Sequence, residues 1–302
     1  MNDLVLVTGG AGFIGSHLSE GLLERGYRVR ILDNLIYGRA EWAPAAAEFI
    51  NGDITNPDTC RRACDGVGGV FHAAAMSRAA PSLDAIDACT QQNIVGTQNI
   101  LIAARDAGVK KLVYSASSTY YGNQAGPHRE DMRPDFLNFY ALSKYVGEEY
   151  CRLFDKALNL PTVILRYFNV YGPRQPQTGP YALVLGVFLR RWRDQQPLEI
   201  HGSGEQRRDF IHVRDVAACN IAAYESQVRG VTLNVGSGVN LSVKELANLI
   251  SSNQIQAARR AGDADVTLAD ISRTSTTLGW QPHIPFIEGL DEMKTLMRQS
   301  DG

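Results

Sequence analysis

A glycine-rich turn near the start of the chain constrains the fold more than any other feature. Residues 10–15 match the pattern G-x-G-x-x-G, and Gly9 extends the match by one residue. The aliphatic run 4–7 before the turn predicts a buried strand, and residues 13–25 after it predict a helix that stops at Gly26. This arrangement lets bare backbone approach a pyrophosphate and directs the first N–H groups of a helix at it. The predicted dinucleotide contacts are Gly9, Gly12, Phe13, Ile14 and Gly15.

A carboxylate closes the second predicted strand, residues 27–32. Asp33 and Asn34 follow that strand, and Asp33 lies 18 residues after Gly15. A carboxylate there accepts hydrogen bonds from both hydroxyls of the adenosine ribose and repels a 2′-phosphate, which favours NAD over NADP. Arg30 and Arg39 are close enough in the sequence to leave NADP as the alternative.

Strands and helices continue to alternate through the first half of the chain. Further strands are predicted at 49–50, 69–72, 111–115 and 162–167, and helices at 93–107 and 140–156. Such alternation is typical of an α/β fold with a doubly wound parallel sheet. We therefore expect a Rossmann-type, NAD-binding domain over residues 1–167.

The sequence changes character after Tyr167. Five glycine and proline residues crowd 172–180, before a predicted helix at 182–192. Short strands and helices are then predicted at 198–201, 209–212, 215–224, 232–235 and 243–250. We expect residues 168–302 to form mainly a smaller substrate-binding α/β lid over the carboxyl ends of the strands, with some segments returning to the Rossmann domain.

Charge and hydropathy argue against several other classes of protein. Lys and Arg number 30 against 32 Asp and Glu, without the basic excess expected of a nucleic-acid-binding protein. The absence of a long apolar stretch or signal peptide predicts a cytoplasmic protein with no membrane partner. The five cysteines contain no CxxC pair and the six histidines no i, i+4 pair, so we expect no disulfide framework and no metal site.

A tyrosine and a lysine four residues apart supply a candidate base. Tyr140 and Lys144 share one face of the predicted helix 140–156. A neighbouring ammonium and a positive nicotinamide ring both favour the phenolate over the phenol. Hydroxyl side chains crowd residues 114–122, where a buried strand ends. They can orient a substrate alcohol, although a polar turn is the better explanation of the cluster taken on its own.

Taken together, six motifs resemble those of the extended short-chain dehydrogenases that act on nucleotide sugars. They are residues 8–17, 52–54, 72–75, the serine-rich strand end within 114–122, Tyr140-x-x-x-Lys144, and 165–172. The resemblance spans nearly the whole chain and implies NAD as a tightly bound cofactor. It further implies that Asp53 and Ile54 border the adenine and that Ala73 and Ala74 line the cofactor cleft.

The resemblance also implies roles at the reacting end of the site. Tyr140 would be the base, Ser117 and Thr119 would contact the sugar hydroxyl, and Lys144 would also hold the nicotinamide ribose. In the second half, Asn169, Arg208 and Arg260 would bind the diphosphate and Asp263 the nucleoside ribose. Family members usually dimerise through two helices, which here are 93–107 and 140–156, so a homodimer is expected.

The strand-end residues favour one reaction of this family. Its dehydratases carry an Asp-Glu pair there and its decarboxylases a Glu, whereas this strand end holds hydroxyl residues and no acid. Epimerisation at C4 needs only a base, a hydroxyl and NAD. We therefore expect a 4-epimerase of a UDP-hexose, either the glucose/galactose or the N-acetylhexosamine pair.

Other functions remain open from the sequence. They are a UDP-glucuronate 4-epimerase, a nucleotide-sugar dehydratase, reductase or decarboxylase, and a non-catalytic NAD-dependent sensor. Galactose 4-epimerases have a bulky aromatic residue where this chain has Thr267, so an N-acetyl group could enter. Arg174, Gln175 and Thr178 lie in a loop that could meet the carboxylate of a glucuronate. Residues 251–258 form a short polar segment where relatives have a helix end and an extra strand.

Overall fold

The computed structural model describes residues 3–77, 79–179, 182–258 and 264–299. Its strands are β1 (Leu4–Thr8), β2 (Arg28–Asp33), β3 (Glu48–Asn51), β4 (Gly69–His72), β5 (Lys111–Ser117), β6 (Thr162–Tyr167), β7 (Asn169–Tyr171), β8 (Leu198–His201), β9 (Arg207–His212), β10 (Val231–Val235), β11 (Asn240–Ser242) and β12 (Gln254–Ala257). Its α-helices are α1 (Phe13–Glu24), α2 (Pro57–Cys64), α3 (Ala79–Asp84), α4 (Ile86–Thr90), α5 (Gly96–Asp106), α6 (Phe139–Leu158), α7 (Val184–Arg193), α8 (Val213–Glu225), α9 (Val243–Ile250), α10 (Ser272–Leu278) and α11 (Phe286–Gln299). A π-helical segment, Gln91–Val95, joins α4 to α5, and 3₁₀ turns lie at Ala40–Trp42 and Ser118–Tyr121.

Seven parallel strands form the central sheet, in the order β10-β6-β5-β4-β1-β2-β3. The central strands β1, β4, β5 and β6 are buried along their whole length, because helices cover both faces of the sheet. The strand order reverses between β1 and β4, which opens a crevice at their carboxyl ends. The predicted α/β, doubly wound fold is confirmed.

The second half of the chain contributes to this sheet as well as to a lid. Strand β10 pairs with β6, and α8 packs against α1 on one face of the sheet. The rest forms a three-stranded sheet, β11-β9-β7, and a pair, β12-β8, packed with α7, α9 and α11 around a core of their own. The division into domains at residue 167 stays a prediction.

The short polar segment 251–258 of the lid contains a strand that the sequence analysis did not predict. Strand β12 forms there and pairs in parallel with β8. Backbone hydrogen bonds make this pairing, and every side chain of β12 is exposed or partly exposed. A strand at the edge of a two-stranded sheet therefore needs no apolar run.

Three further features of the described residues concern membrane spans, metal sites and thiols. No helix among them is long and apolar enough to cross a membrane. They contain no group of three or more His, Cys, Asp or Glu side chains placed to hold a metal ion. All five cysteines are buried free thiols, as expected for residues that serve packing.

Candidate functional site

A cleft of about 940 Å³ lies at the carboxyl ends of the central strands, beneath the lid. The predicted cofactor residues that line it are Gly9, Gly12, Phe13, Ile14, Gly15, Asp33, Asn34, Asp53, Ile54, Ala73 and Ala74. The predicted catalytic and substrate residues that line it are Ser117, Thr119, Tyr140, Asn169 and Arg208. Lys144 lies behind this lining, and Arg260 and Asp263 fall outside the described residues. The fold thus brings most of the predicted site into one cleft.

The glycine turn is shaped to admit a pyrophosphate. A Cβ on Gly15 would overlap the carbonyl oxygen of Gly9, and Gly9 itself has φ +70° and lies where a Cβ would come within 2.8 Å of the Ala74 nitrogen. Gly12 is the N-cap of α1, and no described side chain caps the first turn of this helix, which also contains no acidic residue. The uncapped N–H groups, together with the positive end of the helix dipole, therefore fit the pyrophosphate of a dinucleotide.

Two carboxylates that the sequence analysis assigns to the adenosine half of the cofactor line the cleft. Asp33 accepts hydrogen bonds from the backbone N–H groups of Ala11 (3.0 Å) and Leu35 (2.8 Å). The Asn34 amide donates to Asp53 (2.7 Å). Burial raises the pKa of Asp33, and the two backbone hydrogen bonds oppose that rise. These side chains are held in place by the protein itself, ready to accept ribose hydroxyls.

The two arginines that left NADP as the alternative cofactor have different surroundings. Arg30 pairs with Glu48 (3.0 Å) and donates to the carbonyl groups of Ala63 and Asp65, away from the cleft. Arg39 lines the cleft, and its guanidinium lies 5.2 Å from the ring centroid of Trp42. Only Arg39 could therefore approach a 2′-phosphate, and it shares that end of the cleft with the Asp33 carboxylate.

Tyr140 lies in the first turn of α6, which the side chain of Asn138 caps. Its backbone N–H donates to Ser82 Oγ (3.0 Å), and its side chain lines the cleft. One turn later, the buried Lys144 ammonium lies 4.3 Å from the ring centroid of Tyr114. Burial lowers the pKa of Lys144 to about 8, although the neighbouring Cys151 and Glu148 act to raise it.

Hydroxyl groups at the end of β5 also line the cleft. The backbone N–H and the hydroxyl of Thr119 both donate to Ser117 Oγ, at 3.3 Å and 2.9 Å. Because Ser117 accepts both bonds, its own hydrogen is left to point elsewhere, and Thr119 Oγ is left with lone pairs. The pair can therefore donate one hydrogen bond and accept another at the cleft surface.

A buried ion pair lies beneath these hydroxyls and had no role in the sequence analysis. Arg166 on β6 and Glu148 on α6, each 1% exposed, form two hydrogen bonds of 2.9 Å and 2.8 Å. Arg166 also donates to the Tyr121 hydroxyl (3.0 Å) and stacks 3.5 Å from the Tyr120 ring centroid. The pair ties α6, which carries Tyr140, to the turn that carries Thr119.

A buried histidine lies at the end of β4, behind the glycine turn. His72 Nδ1 lies 2.7 Å from the Thr8 hydroxyl and Nε2 lies 3.0 Å from the Thr97 hydroxyl. Thr97 donates its hydrogen to the carbonyl group of Asn93 (2.6 Å), so Nε2 is the donor and Nδ1 accepts from Thr8. Burial, with a smaller contribution from Lys144, lowers the pKa of His72 to about 3, so the ring is neutral.

On the lid side, the Asn169 amide is already engaged. Its Nδ2 donates to the carbonyl group of Asp209 (2.9 Å) and to Thr267 Oγ1 (3.0 Å). The predicted donation from Asn169 to a diphosphate would therefore replace one of these bonds. Arg208 lines the cleft, with one nitrogen 3.0 Å from the carbonyl oxygen of Arg207.

Several cleft residues carried no recognisable signal in the sequence. They include Tyr37, Trp42, Ser77, Gln92, His128, Ala182, Leu183, Arg190 and Arg193. Most lie in loops or on the lid helix α7, and they reach the cleft only through the tertiary fold. Helical spacing in 182–192 could have indicated that Arg190 and Arg193 share a face, but not which element that face meets.

Comparison with known protein families identifies the family of this chain. The sequence model of the NAD dependent epimerase/dehydratase family matches residues 5–236. The chain belongs to this family. Family membership and the glycine turn agree on NAD as its cofactor.

Individual relatives resemble the chain over nearly its full length. The UDP-glucose 4-epimerase of Mycolicibacterium smegmatis is 35% identical over 299 residues, which are 94% of this chain and 95% of its own. The structure of a UDP-glucose 4-epimerase from Thermotoga maritima with UDP-glucose has a TM-score of 0.95 and 32% identity, and covers 99% of this chain and 100% of that one. A UDP-N-acetylglucosamine 4-epimerase from Methanobrevibacter ruminantium, in complex with UDP-N-acetylmuramic acid, has a TM-score of 0.94 and 32% identity over 99% of each chain.

Proposed function

We propose that the protein is an NAD-dependent UDP-hexose 4-epimerase. One observation supports this reaction above the others of the family: among the described residues that line the cleft, only Asp33 and Asp53 are carboxylic acids. Both lie at the adenosine end, where backbone or amide groups hold them. Elimination at C5 and C6, or decarboxylation, would lack a carboxyl acid or base beside the sugar.

Tyr140 is the proposed base for the 4-hydroxyl of the sugar. When bound, NAD supplies the acceptance and return of a hydride at C4. Tyr140 takes the proton of the 4-hydroxyl as the sugar becomes the 4-keto form. After the sugar has rotated to present its opposite face, Tyr140 returns the proton to the same oxygen. Ser117 and Thr119 orient the reacting oxygen, because one has a hydrogen to donate and the other has lone pairs to accept.

Lys144 is proposed to keep Tyr140 deprotonated. Its pKa of about 8 leaves it mostly charged at neutral pH, and it lies one helical turn from Tyr140. A cation in a buried site favours a nearby phenolate strongly, since little water screens it. The proposed contact of Lys144 with the nicotinamide ribose would require that this buried ammonium be reached through the cleft floor.

The sugar is proposed to be glucose or its N-acetylamino analogue, with both C4 epimers accepted. Thr267 lines the cleft and is held by Asn169, so a small side chain occupies this part of the wall. The similarity to 4-epimerases named for UDP-glucose and for UDP-N-acetylglucosamine supports the same pair of substrates. For the diphosphate and ribose of UDP, the proposed contacts remain Asn169, Arg208, Arg260 and Asp263.

The direct test is to incubate the purified protein with NAD and, separately, UDP-glucose, UDP-N-acetylglucosamine and UDP-glucuronate. Proton NMR of the sugar ring reports the configuration at C4. We expect the C4 epimer of one or both of the first two sugars, with no net consumption of NAD. A 4-keto-6-deoxy sugar, a pentose from UDP-glucuronate, or no change in any sugar would contradict the proposal.

A homodimer through α6 is part of the proposal. Phe139, Leu142 and Leu153 lie along one side of α6 and are 40%, 40% and 57% exposed, which is unusual for large apolar side chains. A second copy of the chain would cover them in a bundle of helices. Light scattering should give a mass near twice 33.1 kDa, and a monomer would refute this part.

A further inference from the structure

We propose that Arg190 on α7, with Gln175 beside it, forms a binding site for the diphosphate of the nucleotide sugar. This inference rests on the proposed function and adds to it a residue that neither the sequence motifs nor the family resemblance assigns. Both side chains line the cleft, and each has a buried nitrogen, Arg190 Nε and Gln175 Nε2, without a hydrogen-bond partner among the described residues.

The charges around the cleft distinguish Arg190 from other arginines that line it. Arg174 pairs with Glu20, and Arg193 donates to Asp194 (2.9 Å). Arg39 has Glu41 at 3.8 Å. The Arg190 guanidinium forms no ion pair within the part of the chain that the structure describes. Its positive charge therefore lines the cleft with no counterion among the described residues.

Gln175 also has a buried side-chain donor without a described acceptor. Its side chain is only 6% exposed, and its Oε1 accepts a hydrogen bond from the Gly172 N–H (3.3 Å), which fixes the carboxamide. The Nε2 group has no described acceptor. A buried donor without an acceptor is costly, so a ligand that supplies the missing acceptor recovers that free energy on binding.

Helical geometry places the two donors on one wall. A Cβ on Gly186 would lie 3.1 Å from Gln175 Nε2, so Gln175 packs against the first turn of α7. Arg190 is one turn further along the same face, four residues after Gly186. Leu183 and Arg193, which continue this stripe at a spacing of three residues, also line the cleft. The stripe therefore faces the ligand rather than solvent.

The chemistry of the donors selects an anionic oxygen group as the ligand. A guanidinium binds phosphate oxygens in pairs, and a carboxamide N–H adds one more donor. The only described carboxylates of the cleft, Asp33 and Asp53, are held at the opposite, adenosine end and are not available to Arg190. The diphosphate is the anionic group common to every UDP-sugar, whereas a carboxylate occurs only on some sugars.

Binding of UDP to the NAD-loaded protein, measured by calorimetry, tests the site without requiring turnover. Inorganic pyrophosphate is the second probe, because it lacks both base and sugar. Arg190→Met should weaken the binding of UDP about 10- to 100-fold and also weaken pyrophosphate, as expected for loss of a charge-assisted hydrogen-bonding group. Gln175→Met should weaken UDP by a smaller factor, and Arg190→Lys should fall between Arg190→Met and the wild type.

Arg191→Met is the matched control on the same helix. Arg191 donates to the carbonyl group of Pro197 (2.6 Å) and pairs with Glu199 outside the cleft lining, so its loss should leave the affinity for UDP unchanged. Circular dichroism and NAD binding check that each variant is folded.

Two results would overturn the site. One is an affinity for UDP and pyrophosphate in Arg190→Met within twofold of the wild type. The other is a loss confined to UDP-glucuronate, which would make Arg190 a contact for a sugar carboxylate instead. Failure of the proposed function is separate, because it appears as absence of C4 epimerisation in the wild type while this binding measurement remains interpretable.

Discussion

The two walls of the cleft differ in how they satisfy their polar groups. We call the residues at the ends of β1, β2, β4 and β5, together with the first turn of α6, the sheet wall. We call residues 174–178, α7 and β9 the lid wall. On and beneath the sheet wall, Asp33, His72 and Arg166 all have hydrogen-bond partners within the protein. On the lid wall, Arg190 and Gln175 each retain a buried donor that no described residue accepts.

This difference separates two kinds of binding site. The buried side chains of the sheet wall are held by the protein before any ligand arrives, so this wall can hold NAD and the reacting hydroxyls in a fixed geometry, as catalysis requires. In the proposed diphosphate site, the substrate supplies the acceptors that the lid wall lacks. Substitutions in the sheet wall should therefore damage stability or turnover, whereas those in the lid wall should damage affinity.

The largest expected effect is on turnover at Tyr140. Tyr140→Phe removes the hydroxyl that exchanges a proton with the sugar, so kcat should fall roughly 10²- to 10⁴-fold. The binding of NAD should persist, because the glycine turn and Asp33 are untouched. Steady-state kinetics and NAD content measure both quantities.

Tyr150→Phe is the matched control for Tyr140. It makes the same substitution on the same helix, but Tyr150 packs into the core between the sheet and α6 rather than lining the cleft. Its kcat should stay within a few-fold of the wild type. Equal activity of the Tyr140→Phe variant and the wild type would remove Tyr140 as the base.

The next largest effect contrasts two arginines, one from each wall. Arg166→Met removes two hydrogen bonds from the buried Glu148 carboxylate and leaves it only the partly exposed Arg152 as a cationic partner, so the free energy of unfolding should fall by about 3 kcal/mol. Arg190→Met leaves no partner unpaired and should change it by less than about 1 kcal/mol. Urea denaturation compares the two variants directly.

A double variant, Glu148→Met with Arg166→Met, sharpens this contrast. Replacing both charges with apolar side chains should recover most of the lost free energy of unfolding, since no charge is then left unpaired. Comparable destabilisation by Arg166→Met and Arg190→Met would mean that the walls do not differ as described.

The smallest effect concerns pH and the neutral ring of His72. Its pKa of about 3 in the folded protein lies below the ordinary 6.5, so the unfolded chain binds a proton that the folded protein does not. The free energy of unfolding should therefore fall as the pH drops below 6.5, by about 1.4 kcal/mol per pH unit from this group, and be fully regained above 6.5.

His72→Gln should remove that part of the acid slope. The remaining slope then includes His212, whose pKa is also lowered, to about 4, mainly by burial. Denaturation at several pH values between 4 and 7 measures the slopes. Identical slopes for wild type and variant would show that His72 does not control acid stability.

The sequence predicted the sheet wall well because its signals are local. The glycine turn, Asp33 and the Tyr140/Lys144 pair are each contained in one strand end or one helix turn, and all but Lys144 line the cleft. Parallel strands bring their carboxyl ends to one edge, so successive motifs meet without further information. Lys144 could not be placed from spacing alone, because its burial depends on Tyr114 from another element.

The lid wall was predicted less well because its residues meet through long-range packing. Arg190 reaches the cleft only because α7 packs beside the loop that carries Gln175, and Gly186 permits that approach. The strand β12 escaped the sequence analysis because hydrogen bonds to β8, rather than an apolar pattern, define it. The engagement of Asn169 with Thr267 joins residues 98 positions apart.

The most direct test of the proposed reaction follows the hydrogen at C4 of the sugar. UDP-glucose deuterated at C4 is incubated with the protein and NAD in ordinary water, and NMR and mass spectrometry locate the deuterium in the product. Removal and return of the same hydride within the cleft predicts a C4 epimer that retains its deuterium at C4. Release of the deuterium to water would contradict this account, because C4 would then exchange with solvent.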